Sequence, residues 1–81
     1  MKRDLLKECV QNGREIEFDY QGRQYSITYG KLDGTDCISF CEFYKETTDV
    51  SSFDELLDIV RYGTTVREMW QQLDEGCVWI F

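Results

Sequence analysis

Residues 14–29 read Arg14-Glu15-Ile16-Glu17-Phe18-Asp19-Tyr20-Gln21-Gly22-Arg23-Gln24-Tyr25-Ser26-Ile27-Thr28-Tyr29. Apolar and polar residues alternate strictly on both sides of Gln21-Gly22, the period of a strand with one face buried. Two such runs separated by two residues, the second a glycine able to take a positive φ, make a β-hairpin. The short loop sets the register. Tyr20 falls opposite Arg23, Phe18 opposite Tyr25 and Ile16 opposite Ile27. All three pairs share one face, which is the core face. Glu15, Glu17 and Asp19 share the other face with Gln24, Ser26 and Thr28, and that face is wet and acidic.

Outward from the hairpin, Asp4 is placed to cap a first helix that runs to about Asn12. Leu5, Leu6, Cys9 and Val10 fall on one of its faces, and Gly13 ends it. On the other side, 30–36 reads as a turn. Cys37 to Tyr44 reads as a third strand, apolar on both faces and therefore internal to the sheet. The stretch 45–51 is polar and fits either an edge strand or a loop. Two capping boxes follow, Ser52-Phe53-Asp54-Glu55 and Thr65-Val66-Arg67-Glu68, each with an acid three residues after the cap. The first opens a helix with the stripe Phe53, Leu56, Leu57 and Val60, ended by Gly63. The second opens a helix with the stripe Val66, Met69, Trp70 and Leu73, ended by Gly76. The apolar run Cys77-Val78-Trp79-Ile80-Phe81 reads as a last strand or an anchor on the core. The expected order is α-β-β-β-(β)-α-α-β. It describes an α+β fold with an antiparallel sheet of three to four strands and helices packed on one face.

The chain has 81 residues, of which 42% are hydrophobic and 15% aromatic. That is the length of a single domain, 1–81, and too apolar for a disordered chain. No run approaches the roughly 18 apolar residues of a membrane span. Charges crowd the amino end where a signal peptide needs an apolar stretch, so a cytoplasmic location is expected. Cys37 and Cys41 fall on one strand about 13 Å apart, beyond the reach of a disulfide. The four cysteines are therefore expected as reduced thiols holding no metal.

The net charge is −7, and it is unevenly spread. Residues 1–31 hold five acids and six bases, whereas 32–81 hold eleven acids and three bases. Such a surface repels nucleic acid and membranes and attracts basic partners. It also reads, more plainly, as a solvated face that keeps a small protein soluble.

Little in the chain points to catalysis. Histidine is absent, which removes the commonest acid–base group and any Ser-His or Cys-His nucleophile pair. No phosphate-binding loop is present, and no cofactor is expected. Glu15, Glu17 and Asp19 stand about 7 Å apart along one strand face, a spacing that any half-wet strand produces. Asp33-Gly34-Thr35-Asp36 lacks the EF-hand spacing for calcium and reads as a tight turn. The five tyrosines suit both packing between layers and a protein interface.

In this order of elements, with Glu15-Ile16-Glu17-Phe18-Asp19-Tyr20-Gln21-Gly22-Arg23-Gln24-Tyr25-Ser26-Ile27-Thr28 after a first helix, the chain resembles small acidic proteins of prophages and mobile elements. Its size, acidity and αβββαα order are similar to those of several type II anti-CRISPR proteins. The resemblance lies in architecture and composition and carries no residue motif. It implies a non-enzymatic inhibitor that covers the basic, nucleic-acid-binding surface of a CRISPR effector nuclease. The expected partner is thus a larger protein with a basic surface, with the chain a monomer or homodimer that makes no direct contact with nucleic acid or membrane. The expected contact residues are Glu15, Glu17, Asp19, Asp33, Asp36, Glu46 and Asp49. Other readings are an immunity protein or antitoxin that neutralises a basic toxin, and a small-molecule sponge with a pocket among the tyrosines.

Overall fold

The computed structural model describes residues 1–81. Its first hairpin has the register that the alternation dictates. Strand β1 (Ile16–Tyr20) pairs with β2 (Arg23–Leu32) through Ile16–Ile27, Phe18–Tyr25 and Tyr20–Arg23. Gln21 and Gly22 lie at φ 49° and 78°, the two positive values of a type I′ turn, whose twist matches that of the strands it joins.

Strand β3 (Thr35–Glu42) lies beside β2, and β4 (Thr47–Val50) lies beside β3. A final strand, which with its neighbours gives a five-stranded antiparallel sheet, is formed by Val78–Ile80. This strand, β7 (Val78–Ile80), pairs with β1 and closes the order β4-β3-β2-β1-β7. The stretch 45–51 thus contains an edge strand, and the carboxyl-terminal run contains another. The segment expected as a turn at 30–36 narrows to Asp33-Gly34, a second positive-φ pair at 52° and 79°. Lys31, Leu32, Thr35 and Asp36 continue the strands on either side. They look like loop residues because this end of the ribbon projects into water, with all four exposed.

Helix α1 (Arg3–Gln11) buries Leu6 and Cys9. Its N-cap is Lys2, without a side-chain cap, and Asp4 sits inside the first turn. There its carboxylate favours the positive end of the helix dipole instead of capping. Leu5 is on the exposed side. Gly13, at φ 66°, turns the chain out of the helix toward β1.

The helix expected to end at Gly63 is much shorter. Helix α2 (Phe53–Leu57) has five residues, with the Ser52 hydroxyl accepting from the Glu55 amide. A small ribbon follows, β5 (Val60–Arg61) with β6 (Thr64–Thr65), joined by Tyr62-Gly63 at φ 52° and 78°. Gly63 is therefore the second residue of a hairpin turn and not a helix cap. Val60, assigned above to a buried stripe, is exposed. Helix α3 (Val66–Gln72) has the full capping box: the Thr65 hydroxyl accepts from the Glu68 amide, and the Glu68 carboxylate accepts from the Thr65 amide. These bonds hold Glu68 below the ordinary glutamate pKa. Val66, Met69, Trp70 and Leu73 are all buried. A short 3₁₀ turn (Glu75–Cys77) leads into the last strand, β7 (Val78–Ile80).

One core of fifteen residues joins the layers. Ile16, Phe18, Tyr25, Ile27, Ile38 and Phe40 enter it from the sheet, and Leu6, Cys9, Leu56, Leu57, Val66, Met69 and Trp70 enter from the helices. Phe18 stacks on Tyr25 at 5.3 Å and Tyr25 on Phe40 at 5.4 Å, a row of rings across three strands. Trp70 meets Phe18 edge-on at 6.2 Å. Its indole Nε1 donates to the Lys2 carbonyl at 2.8 Å, and the Met1 nitrogen donates to the carbonyls of Trp70 and Leu73. One side chain thus ties α3 to the sheet and to the start of α1.

Trp70 is 1% exposed, so Trp70→Ala should destabilise the fold by about 3–5 kcal/mol in urea unfolding. A loss below about 1 kcal/mol would place the indole outside the core.

Tyr29 is half-buried between α1 and the sheet, and its hydroxyl donates to the Arg14 carbonyl at 2.8 Å. Burial, with Cys9 and Glu15 nearby, pushes its phenol pKa up to about 12. A raised folded-state pKa contributes stability that is intact below the unfolded value of about 10 and is lost as pH rises through the folded value. Between about pH 10 and 12, unfolding free energy should fall less steeply for Tyr29→Phe than for the wild type. Equal slopes would show that Tyr29 ionises as freely folded as unfolded.

Candidate functional site: the open face of the sheet

All three helices cover one face of the sheet, and no residue at an outward position on the other face is buried. Strand alternation and register decide what stands there. One row crosses all five strands as Trp79, Glu17, Ser26, Cys41 and Thr47. A second row runs through Thr28, Ser39 and Asp49, with Glu15 just ahead of β1. Asp19 stands beside Gln24. The outward positions of the five strands carry Glu17, Asp19 and Asp49 and no Lys or Arg. The bases of the central strand, Arg23 and Lys31, share the helix-side parity of Tyr25, Ile27 and Tyr29.

Of the seven acids singled out in the sequence, four therefore meet on this face. Glu15, Glu17 and Asp19 line β1 at intervals of about 7 Å, and Asp49 stands three strands away, about 14 Å. Hydroxyls and a thiol fill the ground between. The Ser39 hydroxyl donates to the Asp49 carboxylate, which holds that acid in place over its neighbour strand. The other three lie elsewhere. Asp33 is in the β2–β3 turn. Asp36 is on the helix-side parity, 3.4 Å from the Lys31 ammonium. Glu46 is in the β3–β4 loop, at the opposite end of the sheet.

Two features, one on this face and one on the helix side at the end of the sheet, escape a reading of the acids alone. Trp79 is 45% exposed and directly opposite Glu17; Phe81, 63% exposed, follows it. The alternation of Val78, Trp79 and Ile80 carries this signal, because a strand that packs Val78 and Ile80 against the core must point Trp79 out. The second feature is an aromatic corner at the end of the sheet. The Arg23 guanidinium lies over the Tyr62 ring at 3.7 Å, and the Tyr62 hydroxyl donates to Glu42 at 2.8 Å. Tyr44 is 99% exposed at φ 68°, a left-handed conformation that non-glycine residues seldom take.

The tyrosines line separate spaces: Tyr29 borders an open groove of about 410 Å³, Tyr44 one of about 400 Å³ and Tyr62 one of about 380 Å³. The space bounded by Tyr20, Arg23, Tyr25, Arg61 and Tyr62 has a volume of about 10 Å³, room for about one water molecule. Drug-sized ligands occupy about 300 Å³ or more. No three Cys, Asp or Glu side chains converge as metal ligands. All four cysteines are free thiols. Cys9 is buried, and burial pushes its pKa up. Cys37 and Cys41 lie at outward positions of β3.

No family model, curated protein or solved structure matches the chain.

Protein purified without reductant and then unfolded should titrate as four thiols, with no stoichiometric zinc by atomic emission. A single disulfide or one zinc per chain would contradict this arrangement of cysteines.

Proposed function

We propose that the chain is a non-enzymatic binding protein whose open, acidic sheet face docks on a basic, nucleic-acid-binding surface of a larger protein. One observation carries the reading: every charged side chain at an outward strand position is an acid, on a sheet face that no helix covers. Carboxylates spaced about 7 Å apart along β1 are on the scale of successive phosphates in a nucleic-acid strand. A surface built to hold phosphates with Lys and Arg would accept them in the same way. Trp79 beside Glu17 adds an aromatic anchor of the kind that dominates binding energy at interfaces. The sharpest form of the proposal is an inhibitor of a CRISPR effector nuclease, which holds nucleic acid in a positively charged channel. Neutralisation of a basic toxin by an immunity protein or antitoxin uses the same chemistry. The space between Tyr20, Tyr25 and Tyr62 is too small for a sponge's ligand, which would instead need the open groove beside Tyr29.

The test is the affinity of wild type and of the Glu15→Lys/Glu17→Lys/Asp19→Lys variant for a type II effector nuclease, in low and high salt. Wild-type binding should weaken at least about tenfold in high salt, where exposed charges are screened. The triple variant should bind at least about tenfold more weakly in low salt, a change of about 1.4 kcal/mol, with its circular dichroism unchanged. Four equal affinities would leave the acids as a solubilising surface. No binding to the nuclease, with salt-sensitive and variant-sensitive binding to another basic protein, would remove the sharp form and keep the broader one.

A further inference from the structure

Strand β7 ends the sheet, and nothing pairs with its outer edge. Its hydrogen-bonding parity can be read from one bond. The Phe81 amide donates to the Glu15 carbonyl at 2.9 Å, so Glu15–Phe81 is a hydrogen-bonded pair. Two residues on, Glu17–Trp79 is the next. Ile16–Ile80 and Phe18–Val78 are the non-bonded pairs between them. The N–H and C=O groups of Val78 and Ile80 therefore point away from β1, at the free edge.

Protein sheets guard such edges with lysine, proline, a bulge or a covering element. Here Cys77-Val78-Trp79-Ile80-Phe81 contains no charge and no proline. The opposite edge differs: β4 carries Asp49, and the Arg61 guanidinium reaches Thr48 beside it. The unguarded edge is also the one uncharged strand of a sheet in a chain of net charge −7.

We propose that β7 pairs antiparallel with β7 of a second copy, about a two-fold axis at Trp79. This register overlaps the whole strand. Val78 of each copy faces Ile80 of the other, and both pairs exchange their N–H and C=O groups, four hydrogen bonds in all. Trp79 faces Trp79 in the close, non-bonded pair on the open face. Val78 and Ile80 meet on the helix side and continue the core across the axis. The result is closed, because an isologous pairing uses up both edges. Pairing β7 with β4 would instead leave an open filament and set Asp49 at each junction.

Charge decides whether two acidic copies can approach this way. The nearest outward acids, Glu17 in each copy, would be separated by three strand spacings, about 14 Å. That exceeds the screening length of about 8 Å at physiological salt, so β7 acts as an uncharged spacer. The dimer should therefore strengthen or hold steady as salt rises. Partner binding by the acids should weaken, so the two readings fail separately.

Only a short edge is buried, and the association should be correspondingly weak, with a dissociation constant of about 10 μM or above. Sedimentation equilibrium from about 5 μM to about 500 μM should show the mass rising from 9.7 kDa toward twice that value. Trp79→Lys, which sets two ammonium groups face to face at the axis, should hold it at 9.7 kDa with unchanged circular dichroism. Amide exchange in the wild type should slow with concentration at Val78 and Ile80 and stay constant at Trp79, whose amide already bonds to β1. If Trp79→Lys does not fold, the wild-type exchange data decide alone. A monomer throughout the range, a dimer that persists in Trp79→Lys, or association that leaves Val78 and Ile80 exchanging freely would each overturn the proposal.

Discussion

Three rings in a row hold this protein together. Phe18, Tyr25 and Phe40 stack across β1, β2 and β3, and Trp70 closes on the row from α3. A domain of this size buries only about 60–65% of its unfolded surface, so a few large side chains must supply much of the apolar burial. Their position has a geometric consequence. Strand residues alternate between faces, so placing these three rings on one side leaves the other side to whatever the intervening positions hold. Those positions hold Glu17, Asp19, Ser26, Thr28, Ser39 and Asp49. The core and the acidic face are two readings of one alternation, and neither can be shifted by a residue without exchanging them.

The helices complete the division. They are too short to wrap the sheet: α1 has nine residues, α2 five and α3 seven. All of them are needed over the aromatic row. The open face is thus left bare by the shortness of the helices as much as by its own polarity. Its charge is a surface property, screened by salt and free of the desolvation cost that buried carboxylates would carry.

Local signals made much of this legible. The first hairpin was readable because a two-residue turn and strict alternation specify the same register. Helix α3 was readable because Thr65 and Glu68 form a capping box ahead of an unbroken apolar stripe. The stretch after Ser52 was misread for a physical reason. Phe53, Leu56, Leu57 and Val60 fit a helical stripe, and Gly63 fits a helix cap. Yet Tyr62-Gly63 between Arg61 and Thr64 is the same kind of turn as Gln21-Gly22 and Asp33-Gly34. Period alone cannot separate a short helix followed by a two-residue strand from one longer helix. The acids of the site were visible as outward positions of β1. Their meeting with Asp49 and Trp79 was not, because it depends on which strands become neighbours. Asp33, Asp36 and Glu46 share the acidity of the chain without sharing the face.

The central claim is that the open face of the sheet is the working surface and the helix side is structural. An amide-resolved NMR titration of the protein with a short oligolysine peptide, a stand-in for a basic surface, tests it most directly. Shifts should concentrate at Glu17, Asp19, Ser26, Ser39, Cys41 and Asp49 and vanish in high salt. Shifts centred on α1 or α3, or spread evenly over all exposed acids, would contradict it.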